Sequence, residues 1–459
     1  NHKRGDYTPY VLKTTDRGAS WRLISSDLPP RGSAHTIAED HVDPDLLFVG
    51  TEFGVFFSND GGEAWSELTS LPTIAVRDLE IQRRETDLVV GTFGRGVYIL
   101  DDYSPLRTGK SRLGEGPVLF EPRDTWLYVP DGRRGWGEKG DFGTDRYAAK
   151  NPPNGAVFSY YLPNGLKSLK EQRKEAEAEK IKSGEDTLYP SWDALRREDR
   201  EEAPSILLSV RDPAGNVVQR LTGPAKKGFH RVAWNMRYPA PNPVDLTPSD
   251  NKAPWESEPH GPMAIPGQYT VTLAKRVEGQ YEQVGEPRTF ALKPMFTGGL
   301  VTEDRGALLE FQRKTAELFR AVMGASKAAD EIDNRIDHMI QAVVDTPDSS
   351  EAQATALRQL KARMQDMRVA LSGDTTIASR QEPVPMPLST RVGTIAWGTW
   401  NTQAGVGGNF LDSYEVAAEQ FPPVLNEIKA IAADLAALEA QLEAKGAPWT
   451  PSRIPDWQP

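Results

Sequence analysis

Apolar and polar residues alternate in short runs through the first hundred positions, and a period of two predicts strands. His35–His41, Leu46–Thr51, Val55–Asn59 and Ala64–Leu68 read as one set of four strands. Ala75–Gln82, Leu88–Thr92 and Gly96–Leu100 supply three strands of a next set. After Asp102 the alternation stops, and Pro105 to Gly116 reads as a linker. Alternation resumes in Pro117–Pro122, Trp126–Val129, Ala156–Leu162, Ile206–Val210, Val217–Leu221, Gly228–Asn235 and Pro266–Leu273. From Thr302 the spacing changes to three or four. Leu308, Phe311, Leu318, Val322, Ile332, Ile336, Met339 and Val343 mark one helix, with Gly324 a weak point. Ser350 and Gln353 offer a capping box for a second helix, through Leu357, Leu360, Met364 and Leu371 to Gly373. A third runs from Pro423 through Leu425, Ile428, Leu435, Leu438 and Leu442 to Gly446.

These patterns predict a multidomain chain, mainly β and then α. Residues 1–107 form the first unit and 108–298 an Ig-like β-sandwich, with turn chemistry at Asp212-Pro213-Ala214-Gly215-Asn216 and a Gly- and charge-rich loop from Asp131 to Asp145. Residues 299–446 form an antiparallel helical bundle, one apolar stripe per helix. A charged insertion spans 166–203, and its Arg173 and Glu177 stand four apart on a solvated helix. The bundle is interrupted by a loop near 373–412, rich in Pro and Gly and holding Trp397 and Trp400. Its tryptophans predict packing against a neighbouring unit or a partner. Residues 447–459 are a tail rich in Pro and Trp.

The first unit repeats. Thr14-Thr15-Asp16-Arg17-Gly18-Ala19-Ser20-Trp21 returns as Ser58-Asn59-Asp60-Gly61-Gly62-Glu63-Ala64-Trp65, and Trp21 to Trp65 is a step of 44 residues. Val55 to Val97 is a step of 42, into a decayed third copy. A period in the low forties with four strands per unit predicts β-propeller blades. In each motif the Asp and Gly build a hairpin turn, and the Trp packs between blades. The roles of Thr14, Asp16, Gly18, Trp21, Ser58, Asp60, Gly62 and Trp65 are therefore structural. Two blades and a fragment cannot close a ring, so missing blades, on upstream polypeptide or a second chain, are the first expected partner.

The motif resembles the Asp box of bacterial neuraminidase repeats, found in sialidases and in the sortilin family of ligand-binding propellers. Gly91-Thr92-Phe93-Gly94-Arg95-Gly96-Val97-Tyr98-Ile99-Leu100-Asp101-Asp102 is similar to the last blade of large exported bacterial proteins with a sortilin-like propeller, loosely labelled glycosyl hydrolases. The resemblance implies export to the periplasm, the cell surface or the medium. The run through Trp234-Asn235 and Pro266-Gly267-Gln268-Tyr269 resembles the Ig-like domain of flagellar hook-cap proteins, which concerns fold alone.

Composition narrows the chemistry. The 459 residues carry a net charge of −11, with no basic stripe for nucleic acid, and no apolar run has the ~20 residues a membrane helix needs. Cysteine is absent, so neither disulfides nor thiolate metal sites form. His41 with Asp40, Asp43 and Asp45 could be drawn as a metal cluster, but Asp43-Pro44-Asp45 reads better as a turn. No cofactor or metal is expected, and no nucleophile elbow, Walker lysine or zinc motif is present.

Strand direction places the motif turns on one face of the propeller and Arg31, Glu52, Phe53, Phe93 and Arg95 on the other, as candidate ligand contacts. Arg95 suits a carboxylate, and Phe53 or Phe93 a sugar or peptide side chain. A sialidase-type enzyme needs an arginine triad, a tyrosine–glutamate nucleophile and an acid/base aspartate, and this chain supplies no identifiable set. Three readings follow. The first is a non-enzymatic scaffold binding protein, peptide or glycan; the second, a hydrolase centred in blades outside this chain; the third, a structural subunit of a cell-surface assembly.

Overall fold

The computed structural model describes residues 2–129, 149, 151–246, 258–295, 301–455 and 457. The protein is β-rich at first and helical at its C-terminal end. Strands β1 (Leu12–Lys13) and β2 (Arg22–Leu23) pair as a ribbon. β3 (Ala34–Glu39), β4 (Leu46–Thr51), β5 (Gly54–Asn59) and β6 (Ser66–Glu67) form a four-stranded antiparallel meander. β7 (Val76–Gln82), β8 (Asp87–Thr92) and β9 (Val97–Leu100) form a three-stranded one.

The three sheets stack. Every residue of β4 is buried because both its faces are covered, which explains its near-continuous apolar run. Leu47, Val49 and Phe56 meet Val11, Ile24 and Trp65 on one side. Leu46, Phe48 and Val55 meet Val76, Leu79, Leu88 and Val90 on the other. Asp43-Pro44-Asp45 does form the β3–β4 turn, with Leu46 N donating to Asp43 O at 3.0 Å. The strand expected over Ala64–Leu68 is confined to β6. Trp21, expected to pack between sheets, is instead 60% exposed, because no sheet covers the outer side of the ribbon among the described residues.

A buried charge cluster fastens the end of this unit. Asp40 accepts two bonds from Arg107, to Nε at 2.7 Å and Nη2 at 3.0 Å, and one from the Tyr103 hydroxyl at 2.6 Å. Burial pushes its carboxyl up, but Arg107, Tyr103 and the Asp43 N–H together outweigh that and hold it down at about 2. The stretch expected as a linker is partly helical, as a 3-10 turn over Ser104–Arg107 and α1 (Lys110–Glu115).

Two sheets enclose the next core. One contains β10 (Val118–Leu119), β12 (Ala156–Leu162) and β15 (Gly228–Trp234), while β11 (Thr125–Leu127) belongs to the other with β13 (Ser205–Arg211), β14 (Val217–Gly223), β16 (Gly267–Val277) and β17 (Gln280–Pro294). Between them lie Phe158, Tyr160, Leu208, Val271, Phe290 and Trp234. β17 was not expected, since Gln280-Tyr281-Glu282-Gln283 alternates weakly; its ten-pair register with β16 forms it. The Asp131–Asp145 loop lies outside the described residues. Between β12 and β13, α2 (Leu169–Ser183) and α3 (Trp192–Arg200) project as a hairpin. It is tied by Arg173, which grips Glu198 at 2.6 and 2.8 Å and Glu177 at 2.9 Å.

The helical region comprises α4 (Arg305–Asp345), α5 (Glu351–Ser372), α6 (Thr375–Ala378), α7 (Leu388–Trp400) and α8 (Gly408–Glu443). The Ser350–Gln353 capping box forms at α5. Three expectations are corrected. α4 passes unbroken through Gly324, because Val322 and Ala325 on either side are held in the core. α8 begins fifteen residues before Pro423, since 423 − 408 = 15, and carries Pro422 and Pro423 inside it. The loop over 373–412 contains α6 and all of α7. α7 has poor helix formers, but Leu388, Val392, Ile395 and Trp400 bury one stripe, and Gly398 lets the Phe410 ring approach where a Cβ would stand 2.4 Å from it. Trp400 meets Phe319, and its carbonyl accepts from Arg237 Nη1 at 2.9 Å, joining the helices to the second β region. Trp397 is 75% exposed.

Candidate functional site

The two motif turns are built alike. Ser20 N donates to Asp16 Oδ1 at 2.8 Å, and Ala64 N to Asp60 Oδ1 at 2.9 Å. Gly18 N meets Thr14 Oγ1 at 2.9 Å, and Gly62 N meets Ser58 Oγ at 2.8 Å. Both glycines need positive φ, at 90° and 94°. The Ser20 hydroxyl and N–H, with Thr14, hold the Asp16 carboxyl at about 2. Trp65 is buried and donates Nε1–H to Ile24 O at 2.6 Å. Thr14, Asp16 and Ser58 bond within their own turns, while Trp65 ties its turn to the neighbouring ribbon.

Each β5-type strand starts at the opposite end from its motif turn, about 20 Å away for six residues. There the structure opens a cleft of about 590 Å³, lined by Tyr7, Arg31, Ser33, His35, Glu52, Phe53 and Arg77. Arg31 enters from the loop before β3, His35 from β3, Arg77 from β7, and Glu52 and Phe53 from the β4–β5 turn. Backbone bonds fix these loops: Gly32 N to Tyr7 O at 2.9 Å and Glu52 N to Ser33 O at 3.1 Å.

His35 Nε2 donates to Glu52 Oε2 at 2.7 Å. Arg77 Nη1 stands 3.2 and 3.1 Å from the two ring nitrogens of His35. An atom that close to both lies over the imidazole face, since in the ring plane it would strike Cε1–H. Arg77 is thus layered on His35, its Nη2 is 3.8 Å from Glu52, and the Phe93 ring centroid is 5.4 Å from its Cζ. The result is a ladder of Phe93, Arg77, His35 and Glu52, with Phe53 and Arg31 beside it.

Of the five expected contacts, Arg31, Glu52 and Phe53 therefore converge, and Phe93 joins through Arg77. Arg95 is exposed at the tip of the β8–β9 turn and does not line the cleft. Sequence reasoning missed Tyr7, His35 and Arg77. One signal was present: His35 and Arg77 are 77 − 35 = 42 residues apart, the same step as Val55 to Val97. Equivalent places in two repeats were bound to share a face.

A second cleft, about 430 Å³, lies at the seam of the two β regions and is lined by Arg107, Arg112, Arg123 and Arg288 among others. Its arginines are largely committed: Arg107 to Asp40, Arg123 to Glu85 O and Asp87, and Arg288 to the Leu119 carbonyl at 3.0 Å. That seam fastens one unit to the next.

No family model matches this chain, and no curated protein does. Among solved structures it is similar to the extracellular domain of a one-component system from B. thetaiotaomicron, at 12% identity and a TM-score of 0.17. That match covers 62% of this chain and 28% of the other, too loose a superposition to carry an argument. Among the described residues no helix is long and apolar enough to cross a membrane.

Proposed function

We propose that this chain is a non-enzymatic binding and scaffold protein of the exported, sortilin-like propeller type. In this reading the stacked sheets are blades, the second β region is an Ig-like sandwich, and the helices brace the assembly. Protein, peptide or glycan ligands dock at the face opposite the motif turns. The observation that carries the proposal is the makeup of the cleft: aromatic rings and guanidinium groups around one carboxylate. Phe53 offers a ring for a sugar face or apolar side chain, and Arg31 a fork for a carboxylate. Glycoside hydrolysis runs on two carboxyl groups across the scissile bond, and among the lining residues Glu52 stands alone, already bonded to His35.

The test is a combined glycan and peptide array, followed by titration of the hits. Phe53→Ala and Arg31→Ala are each expected to weaken binding about 10- to 100-fold. Glu63→Gln, at the opposite face, is expected to leave it unchanged. Hits that bind Phe53→Ala as tightly as the parent chain would place recognition elsewhere.

A further inference from the structure

The cleft at the seam of the two β regions, about 430 Å³, falls in the size range of small-molecule sites, roughly 300–1,000 Å³. Four arginines and two carboxylates line it, 4 − 2 = +2, in a chain whose net charge is −11. Two of the four arginines are answered. Arg107 spends Nε and Nη2 on Asp40, whose side chain is fully buried. Arg123 stands 3.3 Å from Asp87 and 3.7 Å from Asp102, which is one of the two lining carboxylates.

The other two are not. Arg288 donates Nε–H to the Leu119 carbonyl at 3.0 Å, and among the described residues its two Nη groups have no partner. That one bond anchors the guanidinium and leaves its outer donors to the cleft. Arg112, exposed on α1, makes no bond or ion pair among the described residues. Glu121, also exposed, is the one lining carboxylate without a partner among them, so the unanswered charge is 2 − 1 = +1. The hydroxyls of Thr86 and Thr108 line the cleft too, and neither is spent on a described residue.

These donors come from four stretches of chain: Arg288 from β17, Arg112 from α1, Thr86 from the β7–β8 turn, and Thr108 from between the 3-10 turn and α1. A carboxylate offers two oxygens in one plane, which a single guanidinium fork satisfies. A tetrahedral group offers three or four oxygens that point apart, and it suits donors arriving from several sides. We infer that this cleft binds a phosphate or sulfate group between Arg112 and Arg288, with the Thr86 and Thr108 hydroxyls as further donors. The bound group ties α1 to β17 across the seam. The inference stands on the seam alone and does not depend on the ligand cleft at Arg31 and Phe53.

The test is calorimetric titration of the intact chain with inorganic phosphate and, separately, with sulfate, using acetate as the planar comparison at matched ionic strength. Saturable binding of phosphate, sulfate or both is expected, about 10-fold or more tighter than acetate and weakened by added potassium chloride. Arg112→Gln removes an exposed guanidinium that holds nothing else, and is expected to weaken binding about 10-fold. Arg288→Gln is expected to do the same or more. Unchanged hydrogen exchange at the Phe120 amide, which bonds Ser159 O at 3.0 Å, shows the seam intact, and Arg112→Gln decides the case where Arg288→Gln alters it. Preference for one of the two ions supports the inference and names the source of the group. Absence of saturable binding, acetate bound as tightly, or binding unchanged in Arg112→Gln overturns it.

Discussion

Replacing Asp40 with alanine is expected to cost the first β unit about 3–5 kcal/mol, the usual effect of removing one partner from a buried, hydrogen-bonded ion pair. The Asp40 side chain is fully buried and satisfies Arg107 twice, Tyr103 once and the Asp43 N–H. Without it, a guanidinium and a phenol are left facing a low-dielectric pocket. The measurement is hydrogen exchange at the β4 amides, which reports this unit without the helices. A loss below about 1 kcal/mol would mean that water reaches the site and replaces the carboxylate. The same group sets an acid limit. Its carboxyl lies at about 2 in the folded chain, against an ordinary value of 3.8. A depressed carboxylate contributes stability above its unfolded value and loses it as pH falls. About 2 kcal/mol is therefore expected to disappear between roughly pH 4 and pH 2. Asp40→Asn should flatten that part of the profile.

Trp234→Ala is expected to cost about 4 kcal/mol in the second β region. The indole is fully buried between the two sheets, 5.4 Å from the Tyr269 ring and 6.3 Å from Phe290. Its Nε1–H donates to Arg237 O at 2.9 Å. Arg237 in turn reaches Trp400 O and Asn401 Oδ1. The substitution should therefore also loosen the contact with α7, seen as faster exchange around Trp400 before the helices themselves melt. Trp234→Phe keeps most of the ring area and forfeits the bond, and about 1–2 kcal/mol is expected for it. If both variants cost the same, the hydrogen bond rather than the packing holds the site.

Elements whose stability is local were legible in the residues. The β4–β5 and β8–β9 hairpins, the Ser350 capping box and the Arg173–Glu177 pair depend on neighbours a few positions away, so period and turn chemistry sufficed. Elements made by distant partners were not. β17 is strung along β16, and α7 has three Thr and two Gly among its thirteen residues, with only its buried stripe to keep it helical. Trp21 and Trp65 occupy the same motif position, yet one is exposed and the other buried. Nothing within either octet distinguishes them.

The candidate site divides in the same way. Strand alternation by itself put Arg31, Glu52 and Phe53 at one end of the sheets and the motif turns at the other, because successive strands must reverse. It also put Arg95 there, but a turn one residue longer than its counterpart carries that side chain out past the cleft. Only the stacking of the sheets decided that Arg77 would lie on His35, and that His35 would take up Glu52. Those contacts join residues 17 to 42 positions apart, through a face-to-face packing that the period could suggest but whose distances it could not supply. The path of the chain after β9 has the same origin. The sequence determined that a third copy would begin, and the tertiary structure decided that residues 102–107 turn back onto Asp87, Thr86 and Asp40 instead of pairing beside β9.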